Sequence, residues 1–109
     1  MQQNRLGQGL GVGAIGLGCM GMSSVYGSVD EAEAVATVRR ALELGVTLID
    51  TADIYGAGHN EQLVGRALKG VREQAVLATK FGNTRDAAGR PTVDGRPDHV
   101  RAAIDASLK

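Results

Sequence analysis

Three amphipathic stretches alternate with three short apolar runs along the 109 residues. Val35, Val38 and Leu42 stand at i, i+3 and i+7, with Ala34 and Ala41 beside them and Arg39, Arg40 and Glu43 turned away. That spacing predicts a helix with one apolar face. Ser28-Val29-Asp30-Glu31 precedes it with capping-box spacing, and its acids suit the positive end of the helix dipole. Gly45 follows as a left-handed cap. Leu63, Val64, Ala67 and Leu68 form a second face, with Asn60 as the expected N-cap and Gly70 as the stop. Pro97 opens a third helix at its first position, with Val100, Ala103, Ile104 and Leu108 on one face.

The apolar runs between these helices read as strands. Val46 to Ile49 and Ala75 to Thr79 are nearly continuous in apolar character, as strands covered on both faces of a parallel sheet should be. Earlier, Ala14, Ile15 and Leu17 predict a short buried strand among glycines, and Arg5 to Leu10 predict a small hairpin. The stretch from Asn83 to Arg96 is rich in breakers and reads as a polar loop. The resulting order, β-α-β-α-β-α, predicts an α/β fold with parallel strands and right-handed crossovers. Three such units suit the start of a (β/α)8 barrel or half of a doubly wound sheet. Residues 1–109 are expected to form one partial domain, with no second.

Composition narrows the field. The chain is 43% hydrophobic with zero formal net charge, which argues against disorder and against a basic nucleic-acid binder. No apolar run nears the ~18 residues of a membrane span. The single cysteine, Cys19, excludes an internal disulfide, and the polar N-terminus lacks a signal-like apolar segment, so the cytoplasm is expected. Only three residues are aromatic, Tyr26, Tyr55 and Phe81. The core must therefore be aliphatic and comparatively weak.

In parallel α/β folds, functional residues gather at the carboxyl ends of strands. Those ends carry Gly18-Cys19-Met20, then Asp50 to Tyr55, then Lys80. Asp50 and Lys80 fit a structural ion pair, with Tyr55 as a loop aromatic. The ion pair is the commoner case for such residues, but the same three also fit an acid catalyst. A tyrosine of ordinary pKa near ~10 keeps its proton at neutral pH, a neighbouring ammonium strengthens it as an acid, and a carboxylate keeps that ammonium charged. Such a group could protonate an alkoxide forming from a carbonyl. The matching hydride would have to come from a nicotinamide cofactor.

Four segments in order resemble the aldo-keto reductases: Gly16 to Ser23, Gly45 to Gly56, Asn60 to Leu68, and Ala78 to Gly82. The flavour is that of the branch with a Gly-Cys-Met-Gly-Met start, and the likeness runs from about Arg5 to Lys109. The resemblance implies a (β/α)8 barrel that reduces aldehydes and ketones with NADPH, or sometimes NADH, acting on small-molecule carbonyl substrates. It implies that Tyr55 donates the proton, that Lys80 tunes it, and that Asp50 holds Lys80 and lies near the cofactor ribose. Gly18, Cys19 and Met20 would line the nicotinamide. The family's fourth catalytic residue, a histidine on the next strand, has no counterpart. His59 and His99 do not match its motif and are expected to be solvated surface residues.

This departure and the ~250 residues of a typical barrel imply a truncated, inactive chain that self-associates through open sheet edges. A non-catalytic role on the same scaffold, as in potassium-channel beta subunits, is the alternative. Two matches to G-x-G-x-x-G, at 11–16 and 16–21, suggest a Rossmann module, but neither joins a strand directly to a helix. Cys19 and two distant histidines have no zinc-site spacing, so no metal is expected.

Overall fold

The computed structural model describes residues 1–24 and 27–109. Val25 and Tyr26, in the stretch ahead of the first helix, lie outside the described residues. The chain opens with the expected hairpin, which is longer than its sequence suggests: β1 (Gln3–Leu6) pairs antiparallel with β2 (Leu10–Gly13). The first parallel strand, β3 (Leu17–Gly18), is shorter than expected. Ala14 and Ile15 fall outside it, and Ile15 is 63% exposed rather than buried. Ala14 is instead spent on the hairpin, its N–H donating to the Gln2 carbonyl.

Helix α1 spans Glu31–Glu43, followed by β4 (Leu48–Asp50), α2 (His59–Leu68) and β5 (Val76–Ala78). The order β3-β4-β5 is parallel, with Gly18, Asp50 and Ala78 in one row across the three strands. Helices α1 and α2 pack against each other over this sheet. Their apolar faces meet Ile49 in a core of Cys19, Val38, Leu42, Val64, Ala67, Leu68 and Ala75. Among the described residues it contains no aromatic side chain. Each fully buried Leu, Ile or Val contributes about 2 kcal/mol.

The cap of α1 differs from expectation. Asp30, not Ser28, is the N-cap, and its Oδ1 accepts from the N–H groups of Ala32 and Glu33 at 2.9 and 3.2 Å. A carboxylate two residues closer to the helix reaches both donors directly. Gly45 does follow the helix with a left-handed φ of +87°. In a complete barrel carrying this segment, Asp30→Ala is expected to cost about 1 kcal/mol in equilibrium urea unfolding, and Ser28→Ala almost nothing. Equal losses would contradict this cap.

The 83–96 stretch is not a plain loop. β6 (Asn83–Arg85) and β7 (Pro91–Val93) form an antiparallel hairpin, with Thr84 opposite Thr92. Asp86 closes its turn by accepting from the N–H groups of Ala88 and Arg90, both at 2.9 Å. Helix α3 (Pro97–Ser107) starts on Pro97 as expected but buries only Ala103. Ile104 and Leu108 are 48% and 78% exposed.

At the amino ends of the strands the hairpin seals the sheet. The Gly13 N–H donates to Thr47 Oγ1 at 2.9 Å. A Cβ at Gly13 would collide with the Gly45 carbonyl oxygen, so only glycine fits. The opposite ends of the strands are left open.

Candidate active site

The segment after β4 is fixed by its own backbone. Thr51 N–H continues the ladder to the Ala78 carbonyl, and Asp53 N–H reaches the Lys80 carbonyl at 3.2 Å. Tyr55 N–H bonds the Ala52 carbonyl, and the Tyr55 carbonyl accepts from Asn60 N–H, both at 3.2 Å. A turn with this many internal bonds presents Tyr55 at a fixed place above the strand ends.

Asp50, Tyr55 and Lys80 do come together there. Lys80 Nζ donates to Asp50 Oδ2 at 2.6 Å, to the Thr51 carbonyl at 2.9 Å and to the Tyr55 hydroxyl at 3.4 Å. It also lies 5.2 Å from the centre of the Tyr55 ring. Partial burial lowers the pKa of Lys80, but hydrogen bonds to Asp50 and Tyr55 outweigh it and hold the ammonium above its ordinary range. The amine is therefore fully charged at neutral pH. The Lys80–Asp50 pair is 46% and 40% exposed, and such pairs contribute about 0.2–1 kcal/mol to stability. So small a contribution leaves the third partner, the phenol, unexplained by structure alone.

The β3 end is divided in its behaviour. Gly18 is exposed, with open space where a side chain would stand, and Met20 is half-buried in a short 3-10 turn (Met20–Ser23). Cys19 has no exposed surface and belongs to the core, so its side chain does not line a cofactor face. Its backbone is fully engaged, the N–H with the Asp50 carbonyl and the C=O with Asn60. Burial, then the charge of Asp50, raises the thiol to about 11 against the opposing pull of Lys80. Cys19 is thus an inert hydrophobe rather than a nucleophile.

Asn60 is the residue that the sequence reading misplaced. It sits inside the first turn of α2, whose N-cap is Gly58, and its side chain is fully buried. The histidines also differ from expectation. His59 is half-buried, with Nδ1 2.8 Å from Ser23 Oγ and Nε2 against Glu31 Oε1. That hydrogen bond, assisted by Arg66, holds the Glu31 carboxyl below its ordinary range. His99 is half-buried too, with Nδ1 3.8 Å from Asp94 Oδ2.

Comparison with known proteins agrees with this geometry. The aldo/keto reductase family model matches residues 14–109. The chain is 39% identical to the probable aldo-keto reductase 1 of Glycine max, over all of its own length and 32% of that protein. Its structure superposes on the holo form of an aldo-keto reductase from Bacillus halodurans with a TM-score of 0.84 and 40% identity. That match covers 99% of the chain and 35% of the other. An aldo/keto reductase from Klebsiella pneumoniae, solved with NADP and acetate, matches with a TM-score of 0.73 and 31% identity, over 97% and 34% of the two chains. The chain thus spans about a third of the length of these relatives, as the first β/α units of their barrel. It belongs to the aldo/keto reductase family.

Proposed function

We propose that this segment carries the proton-donating half of an NADPH-dependent reductase acting on aldehydes and ketones. The observation that carries the reading is the convergence of Asp50, Lys80 and the Tyr55 hydroxyl at the carboxyl ends of two adjacent strands. In this reading Tyr55 gives its hydroxyl proton to the substrate oxygen as an alkoxide develops. The Lys80 ammonium favours the phenolate left behind, and Asp50 keeps the ammonium in place. The cluster favours catalysis over the purely binding role known on this scaffold.

The residues present fit a nicotinamide cofactor. Gly18 leaves open space beside Asp50, and Asp50 Oδ1 accepts no protein hydrogen bond among the described residues, so it is free for a ribose hydroxyl. Met20 offers a half-buried apolar wall. Gly18, Met20 and Asp50 would hold the cofactor, which when bound supplies the hydride. Relatives solved with NADP or NADPH support the choice of cofactor. No helix of the described residues is long and apolar enough to cross a membrane, and we place the protein in the cytoplasm, with no nucleic-acid partner.

The test uses a complete barrel in which residues 1–109 form the first three β/α units. Tyr55→Phe removes the donated proton and is expected to lower kcat by about 10²–10³-fold, with NADPH affinity within about threefold. Full turnover of an aldehyde by this variant would end the reading.

A further inference from the structure

Asn60 carries an inference that rests on the catalytic reading above. Its Oδ1 accepts the Thr51 hydroxyl at 2.6 Å, and its Nδ2 donates to the Cys19 carbonyl and to Ser23 Oγ, each at 2.8 Å. Its backbone N–H donates to the Tyr55 carbonyl. Thr51 in turn supplies the carbonyl that accepts Lys80 Nζ. One buried amide therefore ties together the end of β3, the end of β4 and the turn bearing Tyr55.

We propose that Asn60 is a positioning residue, which fixes Thr51 and the Tyr55 turn so that the Lys80 ammonium stays between Asp50 and the Tyr55 hydroxyl. The helix itself does not call for it, because the cap is Gly58 and asparagine is a poor helix former. Burying a primary amide is costly unless its hydrogen bonds are made, and here both ends are engaged by the site's own backbone and by Thr51. The 3.4 Å contact between Lys80 and Tyr55 is already at the long limit of a hydrogen bond, so a small drift of Thr51 breaks it.

The test uses the complete barrel carrying this segment, with each variant assayed well below its melting temperature. Asn60→Ala is expected to lower kcat by about 30–100-fold while KM for NADPH and aldehyde stays within about threefold, since a misplacement near 1 Å costs about 10². Thr51→Ala should fall in the same direction, and Thr51→Ser should restore kcat to within about twofold. The Asn60→Ala/Thr51→Ala double variant should be no slower than Asn60→Ala alone.

Should Asn60→Ala fail to fold, the Thr51 pair decides. Unchanged kcat in folded Thr51→Ala, equal losses in Thr51→Ser and Thr51→Ala, or additive effects in the double variant would each overturn the proposal. Tyr55→Phe assayed alongside separates the two readings. If it keeps turnover, the catalytic assignment fails; if it loses turnover while Thr51→Ala does not, the positioning role alone fails.

Discussion

Lys80→Met in a complete barrel is expected to lower kcat by about 10³–10⁴-fold, the largest single effect in the site. Methionine keeps most of the length of lysine and removes the charge, so packing is nearly preserved. Three partners are lost together: Asp50 Oδ2 at 2.6 Å, the Thr51 carbonyl at 2.9 Å and the Tyr55 hydroxyl at 3.4 Å. The Tyr55 hydroxyl then stands beside an unpaired carboxylate, which opposes formation of a second negative charge. Because hydrogen bonds to Asp50 and Tyr55 raise the pKa of Lys80 against the opposing effect of burial, wild-type protein keeps the ammonium throughout the neutral range. The deficit of Lys80→Met should therefore be the same at pH 6 and pH 8. Steady-state kcat at saturating NADPH, with cofactor affinity followed by fluorescence, makes the comparison. A variant within tenfold of the parent would remove Lys80 from the chemistry.

The 109 residues on their own are expected to self-associate, to lack a cooperative monomeric unfolding transition and to bind NADPH at least about 100-fold more weakly than a complete barrel. The structure shows why. Among the described residues, strand β5 has β4 on one side and no partner strand on the other, and its Leu77 is 36% exposed. Strand β3 is the other free edge of the same sheet. Helix α3 makes only sparse contacts with other elements, which leaves Ile104 and Leu108 uncovered. Unpaired edges and apolar helix faces promote association, and an aliphatic core leaves little of the usual ~5–15 kcal/mol margin. Analytical ultracentrifugation, thermal unfolding and an NADPH titration test the three parts. A cooperative monomer with micromolar NADPH affinity would show that three units suffice.

Periodicity made α1, α2, β4 and β5 legible because their apolar residues face one shared core. It failed where burial was not what fixed the structure. Ile15 looked like a core residue, yet the backbone there is claimed by the hairpin. The 83–96 segment, polar and rich in breakers, hid a hairpin closed by the Asp86 side chain. Asp50, Tyr55 and Lys80 were legible because strand ends collect chemistry and their residue types complement one another. Asn60 was visible as a helix-start signal and as the head of one family-like segment but not as a tether, since its three side-chain hydrogen bonds reach residues 9, 37 and 41 positions away. No local pattern encodes such distant partners.

The close contact between Gly13 and the Gly45 carbonyl divides the segment into two territories for selection. Positions around the sealed amino ends of the strands can be varied in a screen for heat tolerance without touching turnover, so long as glycine stays at 13. Positions at the carboxyl ends, around Asp50, Tyr55 and Lys80, can be varied without loosening that seal. Libraries built separately at the two ends should therefore combine with little interference, except through β4, which carries Thr47 near one territory and Asp50 into the other.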